Sequence, residues 1–276
     1  MTTVSVRTGL HPSTRRCFKE KAMKIAVIGG SGLIGRMVVQ SLRHDGHHVI
    51  SASPSSGVDT LTGDGLEPAL AGTDVVVDVS NSPSFEREAV LAFFTTSAQN
   101  IARAETAAGV GHHVLLSVVG TDRLPDNGYF QAKLAQERLV REAGIPFSIL
   151  HATQFFEFIG SIAQPEADGT IRLSPALFQP VAAADVAAEL ASIATSPPLN
   201  GMVELAGSDV LPLDEIARRY LRATGKGGRV ISDAHARYFG AELDDQSLLP
   251  GATFRTGPTR LKDWLAKQSD FARLTN

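Results

Sequence analysis

The sequence predicts an α/β fold, a doubly wound parallel sheet with a smaller C-terminal α+β lobe. Three observations predict it. From Lys24 to Leu150 short apolar runs alternate with segments of helical spacing, glycines stop the helices, and a glycine-rich turn joins the first strand to the first helix.

Ile25-Ala26-Val27-Ile28 is apolar at every position, as a strand covered on both faces must be. Residues 33–45 set Leu33, Met37, Val38 and Leu42 at helical spacing, and Gly46 ends that helix. Val49-Ile50 is a second strand and Asp74 to Val79 a third. A long helix over about 86–108 carries Val90, Phe94, Ala98 and Ile101 on one face and stops at Gly109. Val114-Leu115-Leu116 is a strand, 130–143 a helix ended by Gly144, and Phe147-Ser148-Ile149-Leu150 another strand. Such alternation means right-handed crossovers and a parallel sheet.

After Phe156 the rhythm loosens at Pro165, Gly169, Pro175 and Pro180. A helix starting near Asp185, read as its N-cap, and a strand at Val203-Glu204-Leu205 return to the sheet. A helix at 214–223, a strand at 229–231 and a helix around Trp264 follow. The chain therefore divides into an extension (1–22), a core (23–156, completed by about 178–206) and a smaller lobe (157–177 and 207–276).

Composition narrows the function. A chain of 276 residues with 43% apolar content can bury a large core without staples. The single cysteine, Cys17, cannot form an internal disulfide, which fits a reducing compartment. A net charge of −3 argues against a nucleic-acid binder, and no apolar run approaches the ~18 residues of a membrane helix. The expectation is a cytoplasmic protein whose partner is a small molecule, with a homodimer left open. Residues 1–24 hold six basic side chains against Glu20 alone, a charge of +5 that leaves −8 on the remainder. That leader has transit-peptide chemistry. The plainer reading is a disordered or misread extension over 1–22, because Met23-Lys24-Ile25 opens the first strand.

Gly29-Gly30-Ser31-Gly32-Leu33-Ile34-Gly35 lies between a strand and a helix. Gly29 permits a tight turn, Gly32 lets backbone approach a pyrophosphate, and Gly35 lets helix pack on strand. With the helix N-terminus behind it, the loop predicts a dinucleotide site holding Gly29, Ser31, Gly32, Leu33, Ile34 and Gly35. The second strand ends in Ser51-Ala52-Ser53-Pro54-Ser55-Ser56, with no acid before Asp59. Hydroxyls of Ser53, Ser55 and Ser56 suit a 2′-phosphate, so NADP(H) is favoured over NAD(H).

Tyr129 and Lys133 stand one helical turn apart on one face. An ammonium beside a phenol lowers its pKa, which makes Tyr129 a candidate acid/base, and Ser117 at the preceding strand end could bind the same substrate oxygen. The spacing alone is a weak motif; its place in this fold raises it.

Taken together, IGGSGLIG, LLSVVG, YFQAK and ILHATQF resemble the short-chain dehydrogenase/reductase superfamily, in its atypical NmrA-like branch, over roughly 23–205. The resemblance implies a Rossmann core with NADP(H) across the strand ends. It implies Tyr129 as acid/base, Lys133 on the nicotinamide ribose and Ser117 orienting substrate. Ser80 and Asn81 would line the cofactor, and Thr153 and Phe155 would border its nicotinamide end. The function so implied is an NAD(P)H-dependent oxidoreductase acting on a small carbonyl or quinone-like compound. The alternatives are a non-catalytic NADP(H) redox sensor and a nucleotide-sugar epimerase or dehydratase. The chain departs from its relatives at His151, where they often carry arginine.

His47-His48 and His112-His113 lack metal-ligand spacing, so no metal is expected. Phe155, Phe156 and Phe158 read either as a pocket wall or as core. Residues 235–247 (HARYFGAELDDQS) read as a lid or a partner contact.

Overall fold

The computed structural model describes residues 22–275. Apart from Ala22, the expectation for residues 1–22 lies outside them. The first strand, β1 (Lys24–Ile28), is followed by α1 (Leu33–His44), β2 (His48–Ala52), α2 (Leu66–Leu70) and β3 (Val75–Asp78). Next come α3 (Arg87–Ala108), β4 (His112–Val118), α4 (Gly128–Glu142) and β5 (Phe147–Ala152). All pairings in the main sheet are parallel, in the order β2-β1-β3-β4-β5, extended beyond β5 by two later strands.

Strand alternation explains the two layers. Ile25 and Val27 pack on α1 through Ile34, Val38 and Leu42, while Ala26 and Ile28 pack on the other face against Leu66, Leu70 and Ile101. A strand buried on both sides has to be apolar throughout, which is why β1 and β3 read as unbroken hydrophobic runs. The chain leaves β1 for β2 on one side and returns to β3 on the other. That reversal opens a crevice at the carboxyl ends of β1 and β3.

The remaining elements are α5 (Ile159–Ile162), β6 (Thr170–Leu173), β7 (Leu177–Phe178), α6 (Ala183–Ala194), β8 (Gly201–Ala206), β9 (Leu211–Pro212), α7 (Leu213–Thr224), β10 (Arg229–Ser232), β11 (Arg255–Thr256) and α8 (Leu261–Thr275). Strands β8 and β11 complete the seven-stranded sheet beside β5, and α6 packs with α1. Around the crevice, β6 pairs with β10 and β7 with β9, over a core of Phe156, Phe178, Ile216 and Leu221.

Two expectations change. The N-cap of α6 is Ala182, and Asp185 lies inside the first turn. Its carboxylate accepts the Thr259 backbone N–H (2.9 Å) and hydroxyl (2.8 Å), tying the C-terminal segment to the sheet edge. The lobe assigned to 207–276 also returns to the main sheet through β11, a two-residue strand with no sequence period to reveal it.

Candidate functional site

The glycine loop closes tightly on itself. Gly29 has φ +80°, and a Cβ there would stand 2.9 Å from Ser80 backbone. A Cβ on Gly35 would stand 2.2 Å from the Gly29 carbonyl oxygen, so only glycine lets α1 approach β1 this closely. Gly32 differs. Its added Cβ would meet only the Gly29 carbonyl oxygen, at 3.2 Å, and the residue lies on the wall of a cavity of about 640 Å³. Gly32 is also the N-cap of α1, with no side-chain cap and no acid in the first turn. The positive end of the helix therefore faces the cavity with no acid in its own first turn to offset it.

The cavity runs along the carboxyl ends of β1 to β5, within the usual range for a small-molecule site. Of the residues singled out in the sequence, Gly29, Ser31, Gly32, Leu33, Ile34, Ser53, Ser80, Asn81, Ser117, Tyr129, Lys133 and Phe155 lie on its wall. Gly35 lies beneath the loop. Ser55 and Ser56 are off the wall in a short 3-10 turn, Ser55 Oγ sharing a bond with Ser53 Oγ (2.9 Å) and Ser56 Oγ accepting the Ser53 N–H (2.9 Å). Thr153 is buried behind the wall. Phe158 joins the wall while Phe156 belongs to the core, so the phenylalanine cluster divides between both readings.

Residues not foreseen also face the cavity. Asp59 does so near the serine turn, its Oδ1 accepting the Leu61 N–H (2.7 Å). Gln154 lies on the wall with both amide atoms buried, and neither they nor the buried Ser80 Oγ has a protein hydrogen-bond partner among the described residues. Buried polar groups of this kind need a partner. Together with the open side of Gly32, they fit a dinucleotide lying across the strand ends.

Tyr129 enters the cavity from α4, whose N-cap Asn127 accepts the N–H groups of Tyr129 (3.0 Å) and Phe130 (3.2 Å) through its side chain. The phenol donates to Asn81 Oδ1 at 3.2 Å. Lys133 is buried one turn later. Its Nζ donates to the Leu116 carbonyl (2.8 Å) and to Gln136 Oε1 (2.5 Å), and stands 4.5 Å from the Phe94 ring centre. Gln136 in turn donates to Asp78 Oδ2 (2.9 Å) at the end of β3. Burial pushes the Lys133 ammonium down to about 8 against the pull of Asp78 and Glu137. Burial also pushes the Tyr129 phenol up. The expected lysine-lowered phenol is thus corrected: desolvation dominates, and the ammonium is tied to strand and helix instead.

Ser117 reaches the wall, but its hydroxyl donates to Glu137 Oε1 at 2.6 Å. Glu137 is buried, with His151 Nε2 at 2.9 Å and Arg141 Nη2 donating at 3.0 Å. So His151, the departure seen in the sequence, faces a carboxylate from α4. Burial would raise the Glu137 carboxyl; His151, Ser117 and Arg141 outweigh it and hold the group below its ordinary 4.5. The charged form therefore stabilises the fold above that value, and the contribution is lost as pH falls through the depressed one. Glu137→Gln is expected to cost ~2–3 kcal/mol at neutral pH, by leaving Arg141 without its anion and weakening the acceptor that Ser117 and His151 face. Urea unfolding should show the gap between the two proteins narrowing as pH falls below about 4.5. A gap independent of pH would assign the loss to packing.

The His112-His113 pair is engaged within the chain. His112 Nε2 pairs with Ser148 Oγ (2.9 Å) and His113 Nδ1 with Glu105 (2.6 Å). Among the described residues no helix is long and apolar enough to cross a membrane.

The sequence matches the model of a protein family described as NAD(P)H-binding over residues 29–197. A curated relative, the photosystem II assembly factor Ycf39 of Cyanophora paradoxa, is 26% identical over 161 residues, 53% of this chain and 50% of its own. The chain thus spans about half the length of the curated relatives it matches. Among solved structures, MoeE5 in complex with UDP-glucuronic acid and NAD superposes with a TM-score of 0.72 and 20% identity, covering 92% of this chain and 100% of that one. A dTDP-4-dehydrorhamnose reductase from Yersinia enterocolitica gives a TM-score of 0.66 and 18% identity, covering 91% and 99%. At such identities the likeness is one of fold, the parallel Rossmann sheet described above.

Proposed function

The chain belongs to the NAD(P)H-binding family, and from that premise we propose that it is an NADP(H)-dependent oxidoreductase acting on a small carbonyl or quinone-like compound. One observation carries the reading: a single cavity has the open glycine loop at one end and the Tyr129 phenol and Lys133 ammonium at the other. The nicotinamide cofactor, when bound, supplies the hydride. Tyr129 supplies the proton. Its raised pKa keeps it protonated at neutral pH, which suits a donor to the oxygen of a carbonyl being reduced. Lys133 has three donors and uses two within the protein, leaving one for a ribose hydroxyl. Ser117 has its proton hydrogen-bonded to Glu137, so it donates nothing to a carbonyl oxygen and can only accept from a hydroxyl, as on the reduced product.

The preference for NADP(H) rests on Ser53 at the cavity wall and on Arg36, which donates to the Ser31 carbonyl (2.9 Å) beside the loop. Calorimetric titration with NADPH, NADH, NADP+ and NAD+ tests it. NADPH is expected to bind ~10-fold or more tightly than NADH, as a 2′-phosphate with its own partners should. Tighter binding of NADH would transfer the 2′ end to Asp59 and to NAD(H), and equal affinities would leave the 2′-phosphate without a partner of its own. Binding of none would remove the enzyme reading altogether.

A redox sensor is the second reading, favoured by the assembly role named for the Ycf39 relatives. It predicts a strong affinity difference between oxidised and reduced cofactor, with no turnover. An epimerase or dehydratase of nucleotide sugars has less support, because the one cationic side chain on the cavity wall, among the described residues, is Lys133. A sugar diphosphate would need more.

A further inference from the structure

Residues 235–247, the polar-aromatic stretch, play no part in the chemistry above, yet they are fastened against the crevice. The Arg123 guanidinium donates to the carbonyls of Gln246 and Leu249, Asn127 Nδ2 to that of Phe239 (3.3 Å), and the Leu177 N–H to Asp245 (3.2 Å). At the centre lies a two-residue turn. The N–H of Tyr238 bonds the Ala241 carbonyl (2.8 Å) and the N–H of Ala241 the Tyr238 carbonyl (3.1 Å).

Both residues between them are left-handed, Phe239 at φ +46° and Gly240 at φ +89°. Such turns favour Asn-Gly, because a bulky side chain is strained at positive φ. Core burial does not explain the phenylalanine: the residue is 58% exposed. Its ring stands at the cavity mouth, 6.2 Å and 24° from that of Phe85, which is 59% exposed and belongs to the loop after β3. Phe85 is 5.8 Å from the Tyr129 ring, and Tyr238 supports Phe239 edge-on at 4.8 Å. The two lobes thus each present one near-parallel, exposed ring beside the phenol.

We propose that Phe85 and Phe239 form a clamp that holds a flat conjugated ring of the substrate between them, next to Tyr129. The clamp rests on the reading of the crevice as an oxidoreductase site. A ring between two others needs ~7 Å between their planes, two carbon contact distances, so the pair has to part to admit one. A puckered aliphatic ring is thicker and lacks the face that stacking requires.

The test uses the full chain, with and without NADP+, and two ketone probes, flat 9-fluorenone and puckered dicyclohexyl ketone. Wild type is expected to bind fluorenone more tightly. Phe239→Asn and Phe85→Leu should each weaken fluorenone binding by about 10-fold and leave the dicyclohexyl ketone within about twofold. Because asparagine suits the turn, Phe239→Asn should melt no lower than wild type, with a rise of roughly 2–4 °C. Strain relieved while affinity is lost is an outcome that a structural role for Phe239 would not give. Three results overturn the clamp: equal fluorenone binding by wild type and both variants, no preference of wild type for the flat probe, or a lower melting temperature for Phe239→Asn. NADPH titration separates the two readings. Phe239-dependent fluorenone binding by a protein that binds no nucleotide would keep the clamp and remove the oxidoreductase.

Discussion

Tyr129→Phe is expected to cut turnover ~10²–10⁴-fold, the usual worth of a positioned proton donor, while the NADPH dissociation constant stays within about twofold. The ring sits in an aromatic nest, 5.8 Å from Phe94 in edge geometry and 6.3 Å from Phe130, and phenylalanine keeps all of it. Only the bond to Asn81 Oδ1 is lost. The variant therefore separates chemistry from folding and from cofactor binding. Its pH profile adds a second check. Burial raises the phenol, so the wild-type rate should not fall at neutral pH through loss of the tyrosine proton. The first group at this end of the cavity to change charge on raising the pH is Lys133, near 8, and NADPH affinity should decline through that value as the ammonium is lost. Steady-state kinetics from pH 6 to 10 would show it. Unchanged turnover in Tyr129→Phe would take the tyrosine out of the mechanism and leave the sensor reading.

The sheet was legible in the sequence because its strands are buried on both faces. Ile25-Ala26-Val27-Ile28 and Val75-Val76-Val77 need apolar residues at every position, and a short unbroken apolar run bounded by turn residues is the mark of such a strand. The glycine loop was legible for a similar reason, since its constraints are local: Gly35 must touch Gly29, six residues away. Tertiary partners were not. Glu137 gathers Ser117 from β4, His151 from β5 and Arg141 from its own helix, and no spacing along the chain announces that meeting. The periodicity of α4 overstates the pull of Lys133 on Tyr129, because it shows that both share a face but not what else reaches the ammonium. The Leu116 carbonyl and Gln136 do. At residue 239 the sequence shows a phenylalanine before a glycine, and only the backbone reveals that the turn would prefer another residue.

The loop glycines offer the second large effect, because two of them should fail in different ways. Gly35→Ala sets a Cβ 2.2 Å from the Gly29 oxygen and 2.7 Å from the Gly30 Cα, and neither atom is at the end of a flexible side chain. The loop has to move off β1, and a stability loss of ~2–4 kcal/mol is expected, with cofactor binding lost too. Gly32→Ala meets only the Gly29 oxygen at 3.2 Å, with φ −73°, which alanine adopts freely. Its cost to the fold is that of a poorer N-cap, ~1 kcal/mol or less. Yet the methyl group projects where backbone should approach a pyrophosphate, and NADPH affinity should fall ~100-fold or more, as the phosphates lose close contact with the helix N-terminus. Thermal unfolding and calorimetry on both variants read the two quantities separately. A Gly32→Ala protein that melts and binds NADPH as wild type does would mean that no phosphate lies against this turn. The glycine at position 32 would then have no account in the chemistry of the site, and the dinucleotide would have to be sought elsewhere along the crevice.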